Sequence, residues 1–169
     1  GNSGGPLLDT QGRMIGINTM IYSTSGSSAG IGFAVPINTA KRVVSDLMQY
    51  GKVRRGTIDG TLVQLTSSIS EYAKISTSQG LLVSELAEDS LAKKAGLKAG
   101  TTPVQYGSRY NSTTIYLGGD VIIGVNGISV TSLADYYSIL ESKNPGDTIT
   151  LNILRNNKEM NLTIQLDQD

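Results

Sequence analysis

Apolar and polar residues change rhythm several times along the 169 residues, and each change predicts an element. Residues 6–9 and 13–20 read as two strands joined by Asp9-Thr10-Gln11-Gly12, a turn ending on glycine. A Ser/Gly-rich loop at 26–30 precedes Gly30-Ile31-Gly32-Phe33-Ala34-Val35-Pro36, a short strand stopped by proline. Ala40, Val43, Val44, Leu47 and Met48 then recur at helical spacing. Asn38 is the expected N-cap of that helix and Gly51 its stop.

Gly51-Lys52-Val53-Arg54-Arg55-Gly56 reads as a linker, and a second unit follows it. Strands are expected at 61–65 and 80–86, with short helices at 68–74 and 89–100. Residues 119–127 form a strand running into an Asn126-Gly127 hairpin turn. Residues 133–142 are helical, and Pro145-Gly146 turns the chain. Strands 147–155 and 158–166 close the unit around Asn156-Asn157, residues that tolerate the left-handed conformation. The expected organisation is two domains, 1–53 and 54–169.

Composition narrows the classes. Fourteen Lys+Arg against fourteen Asp+Glu leave no net charge, so nothing points to nucleic acid or an anionic membrane as partner. With no Trp and a single Phe, Ile, Leu and Val must build the core. No cysteine is present, which excludes disulfides and thiolate metal sites. No apolar run approaches the ~20 residues of a membrane span. No metal site or cofactor is expected.

The chemistry concentrates at Gly1-Asn2-Ser3-Gly4-Gly5-Pro6-Leu7. A serine hydroxyl is a poor nucleophile until it is held at a tight bend and paired with a base. Glycines on both sides of Ser3 let the backbone turn sharply and leave N–H groups free to converge on one point. The run resembles the active-site serine segment of trypsin-like HtrA/DegP proteases. That resemblance makes Ser3 the nucleophile, with the N–H groups of Gly1 and Ser3 as the oxyanion hole. Met14-Ile15-Gly16-Ile17-Asn18-Thr19 and 30–36 are similar to the two walls of the S1 specificity pocket in the same family. The implied pocket residues are Asn18, Thr19, Gly30, Ile31 and Gly32. Histidine is absent from the sequence, so no Ser-His-Asp triad is complete within it. In the chymotrypsin-like order both partners precede the serine. The chain therefore reads as a piece of a longer protein, and is expected to be inactive alone.

The second unit resembles the bacterial type of PDZ domain that follows the protease in HtrA proteins. Its markers are Ser90-x-Ala92-x-x-Ala95-Gly96-Leu97, Gly119-Asp120-Val121-Ile122 through Asn126-Gly127, Pro145-Gly146-Asp147 and Leu154-Arg155. Gly-Asp normally follows Ala-Gly-Leu almost at once; here residues 101–118 intervene, expected as a surface hairpin or a ligand-contacting insertion. PDZ modules bind an extended peptide by strand addition, with backbone amides before the receiving strand holding the terminal carboxylate. By position the loop is Thr57-Ile58-Asp59-Gly60, leading to Thr61 and Leu62. Leu133, Tyr137 and Leu140, at i, i+4 and i+7, are expected to form the opposite wall, with Tyr136 and Ile139 turned to the core. The loop departs from its family, since Asp59 stands where relatives carry glycine. A carboxylate there repels an incoming one, and a one-residue shift would instead put Gly60 at that place.

The resulting expectation is a mainly β protein with some α: the second half of a trypsin-like C-terminal barrel, then an α+β PDZ domain, a partly open barrel with two main helices. The resemblance implies a serine endopeptidase of protein quality control acting on unfolded polypeptides, with the PDZ domain taking peptide C-termini or internal segments. It also implies a homotrimeric, extracytoplasmic whole protein, periplasmic or at the cell envelope, with a membrane anchor as one possibility. Open barrel strands leave three expectations for the first fifty residues: poor order, packing on the neighbouring domain, or self-association by pairing with another copy. The alternatives are a stand-alone peptide-binding module and a pseudo-protease.

Overall fold

The computed structural model describes residues 1–22 and 30–169, which divide into two compact units, Gly1–Val53 and Arg54–Asp169. Of the loop expected at 26–30, all but Gly30 lies outside the described residues.

In the first unit β1 (Pro6–Leu8), β2 (Met14–Tyr22) and β3 (Ile31–Pro36) form an open antiparallel sheet in that order. Asp9 builds the first turn. Its Oδ1 accepts the Gln11 and Arg13 amides at 2.9 Å, and its Oδ2 accepts the Arg13 Nε–H at 2.8 Å. The Arg13 amide bond foremost holds this carboxyl below its ordinary value. Helix α1 (Ile37–Tyr50) starts earlier than expected. Asn38 lies inside its first turn, and Pro36 occupies the cap position without a side-chain bond. Proline has no N–H to continue a ladder, so strand ends and helix begins at one residue. Gly51 stops the helix at φ 72°, donating its N–H to the Leu47 carbonyl at 3.0 Å. The unit has almost no interior. Among its described residues Ala40 is the one buried hydrophobic side chain, while Leu8, Met20, Ile21, Phe33 and Met48 are exposed.

The second unit opens with β4 (Gly56–Thr57), β5 (Gly60–Gln64), α2 (Ser67–Ala73), β6 (Leu81–Leu86) and α3 (Leu91–Lys94). A hairpin of β7 (Thr102–Ser108) and β8 (Asn111–Leu117) follows, then β9 (Val121–Val125), β10 (Ile128–Ser129) and α4 (Leu133–Leu140). The chain finishes with β11 (Thr148–Arg155), β12 (Lys158–Gln165) and β13 (Asp167–Gln168). The main sheet runs β12-β11-β9-β6-β5, with β10 paired to β9. Separate two-stranded pairs join β4 to β13 and β7 to β8.

Local chemistry explains the boundaries. Thr66, Ser90 and Ser132 cap α2, α3 and α4, their hydroxyls accepting the Ile69, Lys93 and Asp135 amides at 3.2, 3.2 and 3.1 Å. Asn126-Gly127 and Asn156-Asn157 adopt positive φ at both positions, the conformation that two-residue hairpins need. One face of the sheet buries Leu81, Val83, Ile122, Leu151 and Ile153 with Tyr136 of α4. A second cluster places Leu82 and Leu154 against Ile69 of α2 and Ile115 and Leu117 of β8.

The insertion at 101–118 is thus a hairpin, but one whose second strand is part of an apolar core and not merely surface. Its base is tight. A Cβ on Gly100 would run into the Tyr116 carbonyl, and the Tyr116 amide donates to the buried Ser84 hydroxyl at 2.9 Å. Between the hairpin and α2 lies an apolar cavity of about 420 Å³, lined among others by Ile69, Tyr72, Val104 and Tyr106.

Asp120 accounts for two of the sequence markers together. Its carboxylate is buried and accepts Arg155 Nε–H at 2.8 Å, Arg155 Nη2–H at 2.7 Å and the Lys98 amide at 2.8 Å. Arg155 also donates to the Gly96 carbonyl at 2.7 Å. Gly-Asp and Leu-Arg are therefore the two halves of one clamp that ties the loop after α3 to β11. The hydrogen bonds it donates to Asp120 raise the Arg155 guanidinium further above its already high value.

Candidate functional site

There are two candidate sites, one in each unit. In the first, Gly4 turns the chain at φ 84° and donates its N–H to the Asn18 carbonyl at 2.8 Å. Gly5 closes the bend on the Asn2 carbonyl at 3.0 Å, and the Asn18 amide donates to the Gly5 carbonyl at 2.9 Å. These bonds staple the Ser3 bend to β2. Ser3 is exposed, and its hydroxyl donates to the Thr19 carbonyl at 2.9 Å. Thr19 sits at a bulge in the β2–β3 pairing and donates its own hydroxyl to the Phe33 carbonyl at 3.0 Å. The fold therefore brings together Ser3, Asn18 and Thr19.

Across the hairpin Gly32 pairs with Ile21 and Ile31 with Tyr22, while Gly30, at φ 82°, leads into β3. Gly1 is exposed beside the bend. In this resting arrangement the Ser3 proton is held by a carbonyl, which cannot remove it. Attack on an acyl carbon requires a base to take that place. Among the described residues no cluster of three or more His, Cys, Asp or Glu is arranged to hold a metal ion.

The second candidate site lies near α4, where β5, the last strand of its sheet, leaves one edge unpaired among the described residues. Gln64 Oε1 at the end of β5 accepts the Leu133 N–H at 2.9 Å, tying the start of α4 to the strand. Ser132 and Asp135 complete a capping box there. Bonds from Thr131 and Ser132, the Thr131 amide foremost, lower the Asp135 carboxyl below its ordinary value.

The loop before β5 is stitched in place. Thr57 pairs with Asp167, Ile58 is buried, and the Asp59 carbonyl accepts the Ala87 amide at 2.9 Å. Asp59 and Thr61 are exposed, and Leu62 is half-buried against the core. Gly60 packs so closely on the Glu85 carbonyl that no Cβ fits. That contact explains why glycine stands at this place and aspartate one residue earlier.

The α4 trio divides. Leu133 is half-buried, Leu140 is 4% exposed in the core, and Tyr137 is 61% exposed. Leu140 was expected on the groove wall; it belongs to the core cluster. At ~100° per residue, Leu133, Leu140 and Tyr136 fall on one side of the helix and Tyr137 at its margin. The core takes the centre of that stripe. Leu140 still reaches a cavity of about 290 Å³ that Thr57, Tyr137, Arg55 and Glu141 also line.

One contact escaped the sequence reading. Tyr136 is 2% exposed, and its hydroxyl oxygen accepts the Ile58 N–H at 3.2 Å. Burial pushes this phenol above the ordinary tyrosine range, opposed by the Ile58 amide and the Thr57 hydroxyl. A buried tyrosine needs a polar partner, but only the fold identifies which one, 78 residues away.

Comparison with known proteins identifies the family of each unit. The PDZ domain family model matches residues 54–166 and the trypsin model residues 1–44. The chain belongs to the PDZ domain family, in the HtrA-like arrangement that places the module behind a trypsin-fold protease segment. Among its relatives is the periplasmic serine endoprotease DegP of Escherichia coli K12, 34% identical over 168 residues, 99% of this chain and 31% of that protein. A probable periplasmic DegP-like serine endoprotease of Bartonella henselae is 36% identical over 167 residues, 99% of this chain and 29% of that protein. The chain thus spans about a third of the relatives' length. The solved HtrA-type protease AlgW with decapeptide superposes with a TM-score of 0.63 at 31% identity, over 100% of this chain and 46% of that one.

Proposed function

We propose that these residues form the nucleophile-bearing end of an HtrA-like serine endopeptidase together with the module that receives its polypeptide ligands. The observation that carries this reading is the conjunction of an exposed Ser3 on a glycine bend stapled to β2 with an open β5 edge beside α4. Ser3 attacks the scissile carbonyl of an unstructured polypeptide. The Gly1 and Ser3 amides receive the developing oxyanion, a contribution worth about 10²–10³ in rate per donor. Asn18, Thr19, Gly30, Ile31 and Gly32 shape the pocket for the residue before the cut. The proton acceptor comes from outside these 169 residues, which contain no histidine.

An extended chain adds to β5 beyond Thr61 and Leu62, with Ile58, Asp59 and Gly60 at one end of the groove and Leu133, Tyr137 and Leu140 along its wall. The similar AlgW structure is of the protease with a decapeptide, which supports peptide as the ligand class. The periplasmic names of the relatives support an extracytoplasmic location for the whole protein. A homotrimeric whole protein follows the same resemblance.

In the whole protein, Ser3→Ala should abolish casein hydrolysis, a loss of about six orders of magnitude, with the fold intact by circular dichroism. Full activity in that variant refutes the nucleophile. The 169-residue chain by itself should show no hydrolysis while still binding peptide. Hydrolysis by the purified chain would refute the need for an outside base.

A further inference from the structure

We propose that Tyr136 selects the ligand class of the β5–α4 groove: its hydroxyl occupies the loop amide that a terminal carboxylate would use. The groove then takes internal stretches of extended chain, without a free C-terminus. This rests on the peptide-binding reading above and narrows it.

Capture of a carboxylate needs several backbone N–H groups free to converge on it. In the loop before β5 the Ile58 N–H is already donated to the Tyr136 oxygen. Both residues are buried, so water does not compete for the bond, and a ligand could take the amide only by displacing a packed ring. Displacement would also cost the Tyr136 oxygen its Ile58 partner inside the core. The loop cannot offer a substitute by sliding one residue. Thr57 is anchored to Asp167, and Gly60 is pressed on the Glu85 carbonyl.

Charge points the same way. Asp59 is exposed on the loop itself, where its carboxylate repels another. Arg55, the cation of the adjoining cavity, is paired with Glu141 at 3.7 Å and shares that cavity with Asp169. An internal segment asks for none of these groups. It needs only the ladder of N–H and C=O groups along the open edge of β5, which the sheet order leaves available.

The test uses the 169-residue chain and three fluorescent peptides read by anisotropy. One is a hydrophobic decapeptide ending in valine with a free carboxylate, the second its C-terminal amide, the third the same sequence extended by four residues. The expected result is affinities within twofold of one another for the wild type. In Tyr136→Phe, which frees the Ile58 amide, the free acid should gain at least fivefold over the amide. A merely structural role for Tyr136 would weaken all three peptides alike.

Tenfold tighter binding of the free acid by the wild type overturns the inference and leaves the groove reading standing. An unchanged acid-to-amide ratio in a folded Tyr136→Phe overturns it too. Should that variant fail to fold, the backbone amide resonance of Ile58 in labelled wild type decides. It should stay in place on adding the free acid, and a shift found with the acid but not the amide refutes the proposal. Failure of all three peptides to bind removes the groove reading itself, and the inference with it.

Discussion

The two units of this chain solve opposite problems. The first, Gly1–Val53, presents a chemically explicit site on an open sheet of three strands with one helix and almost no interior. The second, Arg54–Asp169, surrounds two apolar clusters with a six-stranded main sheet and three helices. Phe33 illustrates the first, 54% exposed on a strand; Leu151 illustrates the second, fully buried on a strand. Both are large apolar residues on β-strands. What differs is whether a second layer lies over the face. A site can therefore be held locally by a few backbone bonds, such as those from Gly4 and Gly5 to Asn18 and Asn2, while stability comes from elsewhere.

The largest effect should come from separating the units. Residues 54–169 alone should unfold cooperatively in urea, whereas residues 1–53 alone should show no transition, because about fifty residues rarely bury enough surface to fold. A cooperative melt of 1–53 as a monomer would erase the contrast. In the intact chain the exposed face of β2 and β3 should drive self-association. Phe33→Ser should shift sedimentation toward monomer without moving the main melt.

Next in size is the Asp120 clamp. Asp120→Ala leaves Arg155 without its buried partner, and should cost about 3–5 kcal/mol in urea unfolding of the second unit. Hydrogen exchange in α1 of the first unit should not change. A loss under about 1 kcal/mol would mean the clamp is replaceable by water.

The smallest effect is a pH dependence. The Tyr136 phenol is raised in the folded state, so its contribution is fully present below the unfolded value near ~10. It declines as pH rises through the higher folded value. Stability of residues 54–169 should therefore fall above about pH 10, and Tyr136→Phe should flatten that part of the profile. An identical slope in both proteins would assign the loss to other groups.

Much of the fold was legible in the sequence because its signals are local. Asp9 with Gly12, Asn126-Gly127, Asn156-Asn157 and Gly51 determine their turns through residues within four positions. The helix over 37–50 was legible for the same reason, although its cap was not, since Asn38 competes with the proline two residues before it. The bend at Ser3 was legible as chemistry. Its anchoring to Asn18 and Thr19 was not.

The insertion was legible as a hairpin but not as core. Nothing in Ile115 and Leu117 says that Ile69, more than forty positions earlier, waits on the other side. The groove was the least legible part. Leu133, Tyr137 and Leu140 have the right spacing for one face, yet the sheet beneath α4 takes Leu140 and leaves Tyr137 exposed.

By itself the sequence determined the turns, the helix stops, the strand rhythm and a serine set among glycines, because each depends on backbone preferences of neighbouring residues. Only the tertiary structure decided that Tyr136 would satisfy Ile58, that Asp120 would hold Arg155, and that Gly60 would have no room for a side chain. Those contacts join residues 78, 35 and 25 positions apart. No local preference reaches that far; they form when burial removes water and each polar group must find its partner inside the protein.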